Sequence, residues 1–289
     1  MGRPEIRIVR DFSSTIQETA DFILSLWERP QNPLEHPRAH TIALAGGNTP
    51  LGLYLHLGNT HPELQAARRS DRDAENVQAF GPAVLYSHVF WGDERAVVID
   101  SPRSNYAAAF HAMLKPLDFP SDQIHRIRAE ERDLEAVAAG YEAEIHHVFA
   151  RIWETQSRMA NLLNPGEPLL PDPDRWERLD LVLLGLGEDG HIASLFPHAP
   201  ALDEKQRWVV PAVQPGSGEK RVTLTLPFIN RARNVVFLVS GKGKAGIVSK
   251  VFAAREPDKA LPATLIRPDK GRVVWILDKA AAAGIPTSA

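Results

Sequence analysis

The sequence predicts a doubly wound α/β fold, a mostly parallel sheet flanked by helices, on three observations. Short apolar runs alternate with stretches of helical spacing along most of the 289 residues. The run Asp180-Leu-Val-Leu-Leu-Gly185 is apolar almost without a break, the pattern of a parallel strand covered on both faces. Strands feed helices in succession, the order that builds such a sheet. The length allows one large core, so a single domain over residues 1–289 is expected, with room for a small appended subregion.

Taken in order, Thr41–Ala45 is an apolar strand that runs into Gly46-Gly47-Asn48-Thr49-Pro50 and then a helix carrying Leu51, Tyr54 and Leu55. Val84–Trp91 is a second strand, closed by Gly92-Asp93-Glu94-Arg95. Ser104–Leu114 places Tyr106, Phe110 and Leu114 at i, i+4 spacing and reads as a helix. Leu134, Val137, Tyr141, Ile145, Val148 and Ile152 give the cleanest helical stripe in the chain. After the buried strand at 180–185, Val222–Leu226 alternates as an edge or half-buried strand does. Asn234–Ser240 is another buried strand, followed by Gly-Lys-Gly-Lys and a helix from about Ala245 to Ala253, and Val273–Leu277 is the last strand. Gln65–Gln78 and the Pro-rich Asn161–Arg178 read as surface excursions.

Composition removes several function classes. The formal net charge is −3, so the chain lacks the basic excess of a nucleic-acid binder. There is no cysteine, which excludes disulfides, thiolate metal sites and cysteine nucleophiles. The amino terminus has no apolar signal region, and no apolar run approaches the ~20 residues of a membrane span. A soluble, cytoplasmic protein is expected, with no membrane or nucleic-acid partner.

Four segments could carry chemistry. Gly46-Gly47-Asn48-Thr49 joins a strand to a helix, with Pro50 suited to the first turn and Asn48 or Thr49 suited to the cap. Such a junction offers free N–H groups and the positive end of a helix dipole to an anion. The plainer reading is a tight turn, and the two weigh about evenly. Neither a P-loop nor a dinucleotide fingerprint is present. Arg95 follows a strand end, where ligand crevices form in open α/β sheets, and suits bidentate phosphate binding. Its plainer role is a salt bridge to Asp93, Glu94 or Asp189. Gly185-Leu-Gly187-Glu-Asp189-Gly190-His191 puts a histidine in a glycine-rich frame at a strand end, near the start of a short helix. His191 there can take a proton from water, with Asp189 orienting it. A lone histidine is more often structural; the glycine frame shifts the balance. Lys220, Arg221 and Lys244 stand beside strand ends as further anion ligands, although solvent-exposed lysine is the commoner outcome.

The segments AGGNTPLGLY, FWGDERAV, SNYAAAF, LDLVLLGLGEDGHIASLFP, KRVTLTLPFIN and PATLIRPDKGRVVWILD, in this order between about Ile42 and Asp278, resemble the 6-phosphogluconolactonase family. That family sits in a wider group with glucosamine-6-phosphate deaminases and ribose-5-phosphate-isomerase-like folds. Asp189-Gly-His191 followed by Ala-Ser-Leu-Phe-Pro has the lactonase form; Asn48, Val98 and Ile192 depart from its usual Ser, Pro and Thr. The resemblance implies hydrolysis of 6-phospho-D-glucono-1,5-lactone to 6-phosphogluconate without a cofactor or metal. His191 would activate water, with backbone N–H groups of the nearby glycine turns, Gly187 and Gly190 among them, at the substrate. Arg95, the Gly46–Thr49 loop and Lys220 or Arg221 would hold the phosphate, and Asn105 would position Arg95 or the substrate. A monomer or homodimer is expected. The competing readings are an amino-sugar-phosphate isomerase/deaminase and a non-catalytic sugar-phosphate sensor.

Overall fold

The computed structural model describes residues 3–27, 40–59, 87–163 and 177–285. The expected strand start at 84–86, the polar stretch 65–78 and most of the Pro-rich stretch lie outside them. Nine strands are described: β1 (Glu5–Val9), β2 (His40–Leu44), β3 (Ser87–Trp91), β4 (Asp93–Arg95), β5 (Leu181–Leu184), β6 (Val209–Val213), β7 (Lys220–Leu224), β8 (Asn234–Val239) and β9 (Arg272–Asp278). The helices are α1 (Phe12–Trp27), α2 (Asn48–Asn59), α3 (Asn105–Ala109), α4 (Leu134–Leu163), α5 (Leu226–Ile229) and α6 (Ala245–Ala253).

Six strands form a parallel sheet in the order β1-β9-β8-β5-β2-β3. The chain steps outward from β2 to β3, then returns on the other side of β2 with β5. At such a reversal the connections leave the two strand ends in opposite directions, and a crevice opens between them. Hydrogen bonding of β2 to β5, with Ile42 opposite Leu181, sets the Gly46 loop beside the Gly187 loop. Leu181–Leu184 and Asn234–Val239 are buried at every position, as the unbroken apolar runs require. Phe237 and Trp275 face each other across β8 and β9 with ring centroids 3.8 Å apart. Such aromatic pairs contribute about 0.5–1.5 kcal/mol beyond their buried area.

Three expectations are corrected. The strand expected at Val222–Leu226 runs from Lys220 to Leu224 and is the middle strand of a second, antiparallel sheet, β4-β7-β6, with Val222, Thr223 and Leu224 fully buried. Its alternation is chemical, Thr against Val and Leu, rather than a wet face. The helix expected over 104–114 keeps α-helical form only to Ala109. Residues 110–114 then adopt a wider turn, in which the Lys115 N–H donates to the Phe110 carbonyl at 2.8 Å. Gly58 of α2 lies against this turn so closely that a Cβ would come 2.1 Å from the Ala112 carbonyl oxygen. Finally, α4 continues through Leu163, so the Pro-rich excursion does not begin at Asn161. The sequence does not predict β1, α1, β4, β6 or α5. One apolar cluster joins residues of both sheets, among them Leu183, Val222 and Val236.

Candidate active site

The carboxyl ends of β2 and β5 open into a cleft of about 510 Å³, lined by the 45–50 loop, Asp93, Arg95, residues 185–188, His191, Arg221 and Lys244. Gly47 has φ +106°, and its carbonyl accepts the Leu51 N–H at 3.0 Å. The cap position of α2 therefore falls on Gly47, and Asn48 and Thr49 lie inside the first turn rather than at the cap. The N–H groups of this turn have no carbonyl four residues earlier within the helix, so the cleft receives the positive end of α2. Gly46 is required by space: a Cβ there would lie 1.9 Å from Oδ1 of Asn105.

The segment after β5 forms a turn where a short helix was expected. The Gly190 N–H donates to the Gly187 carbonyl at 3.1 Å, and the Gly187 N–H donates to the His191 carbonyl at 2.9 Å. Gly190 (φ +88°) and Ala193 (φ +46°) supply the left-handed residues that reverse the chain. This folding-back carries Asp189 onto His191. Nδ1 of the ring lies 2.6 Å from Oδ1 of Asp189, which also accepts the His191 backbone N–H at 3.1 Å. An ionised carboxylate only accepts, so Nδ1 carries a proton, and in the neutral ring the lone pair falls on Nε2. Burial alone would raise the Asp189 carboxyl; the His191 N–H, charge and ring outweigh it and hold the acid below its ordinary range. The ring of Phe196 packs beneath His191, centroids 4.7 Å apart.

The part of the lining that β4 and β7 supply is cationic. Antiparallel pairing of β4 with β7 places Arg95 directly across from Arg221. Like charges in that position repel, yet both side chains line the cleft. Arg95 Nη1 donates to the Arg103 carbonyl at 2.5 Å. Arg221 Nη2 donates to Gln214 Oε1 at 2.5 Å and Glu219 Oε2 at 2.6 Å, and its Nη1 is 3.7 Å from Asp93 Oδ2. Nε of both arginines is buried without a hydrogen-bond partner among the described residues. Desolvation pulls Arg221 down from its ordinary value despite Asp93, with Arg95 adding to the fall. Two opposed guanidiniums with donor capacity to spare make a site for a multiply charged anion.

The acids of the Asp93-Glu94 pair hold the frame. Asp93 accepts from Ser194 Oγ at 2.5 Å and from Asn105 Nδ2 at 3.2 Å. Glu94 accepts from the N–H groups of Arg95, Asn105 and Tyr106 and from the Ser104 hydroxyl, all within 3.0 Å. Burial raises Glu94 above its ordinary range, and these four donors oppose the rise.

A sequence profile described as glucosamine-6-phosphate isomerases/6-phosphogluconolactonase matches residues 11–275. The chain belongs to this family. The 6-phosphogluconolactonase of Synechocystis sp. is 37% identical over 241 residues, 83% of this chain and 82% of that protein. The one from Nostoc sp. is 34% identical over 278 residues, 96% of this chain and 97% of that protein. The solved 6-phosphogluconolactonase from Trypanosoma cruzi superposes with a TM-score of 0.71 at 26% identity, covering 97% of this chain and 96% of that one.

Within this glucosamine-6-phosphate isomerase/6-phosphogluconolactonase fold, the cleft gathers Gly46, Gly47, Asn48, Thr49, Arg95, Gly187, His191, Arg221 and Lys244 of the residues singled out in the sequence. Asp189 stands behind His191. Of the adjacent cations, Arg221 enters the cleft and Lys220 is exposed on the other face of β7. Lys244 Nζ is held by the Leu186 carbonyl at 2.8 Å. Asn105 and Gly190 lie behind the lining; the Asn105 amide meets Asp93, and Gly190 packs on Leu261 and Ile247. The N–H groups of Gly187 and Gly190 are both engaged within the turn. Gln214 and Glu219 carry no periodic signal in the sequence, and nothing there sets Ser194 apart from its neighbours. Only the register of β7 shows what they touch. Among the described residues, no helix is long and apolar enough to cross a membrane, and no cluster of three or more His, Asp or Glu side chains is set to hold a metal ion.

Proposed function

We propose that this chain hydrolyses 6-phospho-D-glucono-1,5-lactone to 6-phospho-D-gluconate, the second step of the oxidative pentose phosphate pathway. The observation that carries the reading is one cleft holding both a carboxylate-oriented imidazole and two arginines in direct cross-strand register. The first suits water activation and the second suits a phosphate.

In this mechanism Nε2 of His191 takes a proton from water as the oxygen attacks C1 of the lactone, and Asp189 stabilises the imidazolium that forms. The tetrahedral oxyanion draws on the donors left to the cleft, the first turn of α2 and the Lys244 ammonium, because Gly187 and Gly190 use their own N–H groups in the turn. The imidazolium then returns its proton to the ring oxygen as the C1–O bond breaks. Arg95 and Arg221 hold the phosphate, a binding interaction that ground state and transition state share. A deaminase would need a carboxylate base in the cleft. Of the two carboxylates in the lining, Asp93 is ill suited to that role, since Ser194, Asn105 and Arg221 surround it, and Glu188 is exposed, so the ammonia assay below tests it. We further propose that the chain acts as a single domain over residues 1–289, in the cytoplasm, as a monomer or homodimer, without cofactor, metal, membrane or nucleic-acid partner.

The test is hydrolysis of freshly generated lactone, coupled to 6-phosphogluconate dehydrogenase and corrected for spontaneous ring opening. Turnover well above the spontaneous rate is expected. Its absence, or release of ammonia from glucosamine 6-phosphate, overturns the proposal, and saturable binding without turnover would leave a sensor.

A further inference from the structure

We propose that Glu219 is a positioning residue that fixes the distance and orientation of the two phosphate-binding arginines. The inference rests on the reading of the Arg95–Arg221 wall as the phosphate site.

Residues 214–219 form the turn between β6 and β7, closed by the Gln214 N–H donating to the Glu219 carbonyl at 2.8 Å. Both side chains of this closing pair accept from the same nitrogen, Nη2 of Arg221, at 2.5 and 2.6 Å. A guanidinium gripped at one corner by a turn cannot swing toward Arg95 or out to solvent. The remaining oxygen of Glu219 forms an ion pair with Nη2 of Arg103. Arg103 in turn supplies the carbonyl that accepts from Arg95 Nη1 at 2.5 Å. One carboxylate, about 14% exposed, thus ties the β6–β7 turn to the segment that leads into α3, and each tie ends on one of the opposed arginines. Without it, two like charges in direct cross-strand register have no common anchor and separate by repulsion.

Glu219 also repels a phosphate, so two effects compete when it is removed. The contact to Arg221 is 2.6 Å and mostly shielded from solvent, whereas a phosphate bound in the cleft would lie on the far side of the guanidinium, open to water. Coulomb energy falls with distance and is screened by solvent. Loss of positioning therefore outweighs relief of repulsion.

The experiment measures kcat and KM of wild type, Glu219→Ala and Glu219→Gln on the phosphorylated lactone and on unphosphorylated glucono-1,5-lactone. Inorganic phosphate is titrated calorimetrically into the same proteins. KM for the phosphorylated substrate should rise about tenfold in the alanine variant and about threefold in the glutamine variant, which keeps one acceptor, with kcat within about twofold. Hydrolysis of the unphosphorylated lactone should be unchanged, and phosphate affinity should fall in parallel with KM. An unchanged or lowered KM overturns the proposal, as does an equal loss on both lactones, which would mark a purely structural residue. If wild type does not turn over the phosphorylated lactone, the lactonase reading fails. The phosphate titration alone then decides Glu219: weaker binding in the variants supports it and equal binding sinks it.

Discussion

Two histidines in this molecule are held by a carboxylate in nearly the same way. Nδ1 of His191 lies 2.6 Å from Asp189, and Nδ1 of His125 lies 2.8 Å from Glu144. Their second nitrogens differ. Nε2 of His125 is 2.9 Å from Nδ1 of His88, and the ring stacks on Phe90 with centroids 4.7 Å apart. Its side chain is 5% exposed against 28% for His191. Burial depresses His125 despite Glu144, and depresses His88 to about 4, so both rings are kept neutral and donate along one line toward Glu144. A carboxylate behind an imidazole is thus not a mark of catalysis. What separates the pairs is whether the far nitrogen meets solvent and a ligand or another side chain.

The sharpest way to break this contrast is to truncate each ring. His191→Ala should lose about 10²–10⁴-fold in turnover with little change in melting temperature. His125→Ala should keep kcat and lose about 2–4 kcal/mol of stability, by cavity formation and the loss of the His88 partner. A folded His125→Ala protein without turnover would show that the buried pair serves the chemistry. A smaller effect is expected at Gly187, where a Cβ would lie 2.0 Å from Nδ1 of His191 and 2.6 Å from Oδ1 of Asp189. Gly187→Ala should pry the pair apart and cost about ten- to a hundredfold in kcat, with circular dichroism unchanged. Activity at the wild-type level would mean that the 2.6 Å contact is dispensable.

The smallest effect is on pH. His88 binds a proton near pH 4 when folded and near its ordinary 6.5 when unfolded. The unfolded chain holds more protons between those values, so stability declines as pH falls from about 6.5 toward 4 and is restored above 6.5. The groups acting on His88 are His125, Arg151, Asp122 and Glu144. Asp189 acts in the same sense at lower pH, its contribution being present above about 3.8 and lost as the folded-state acid is protonated. The melting temperature of wild type should fall relative to that of His88→Gln as pH drops from about 6.5 toward 4; a constant difference would refute the burial argument.

The parallel sheet was legible in the sequence because strands covered on both faces must be apolar throughout, as at Leu181–Leu184 and Asn234–Val239. β1 escaped because Glu5 and Arg7 alternate with Ile6 and Ile8 at a sheet edge, which resembles any polar terminus. β6 carries Pro211, which reads as a break; an edge strand tolerates it. β4 is three charged residues whose extended form is decided by pairing with β7 alone. At the site, the glycine frame around His191 was visible in the sequence. The choice of Arg221 over Lys220 was not, because adjacent strand residues point to opposite faces and only the β4–β7 register says which faces the cleft.

The pairing of β1 with β9, Ile8 beside Leu277, bears on how the molecule is made. β1 leaves the ribosome well before its partner, since residues 10–271 are made between them. At ~5–20 residues per second it waits some tens of seconds with its hydrogen-bonding edge unmet. Contacts so distant in sequence are slow to close, and the charges at Glu5 and Arg7 discourage alien strands meanwhile. That seam of the sheet therefore closes only after β9 has emerged, which leaves β1 the longest of the sheet's strands without a partner.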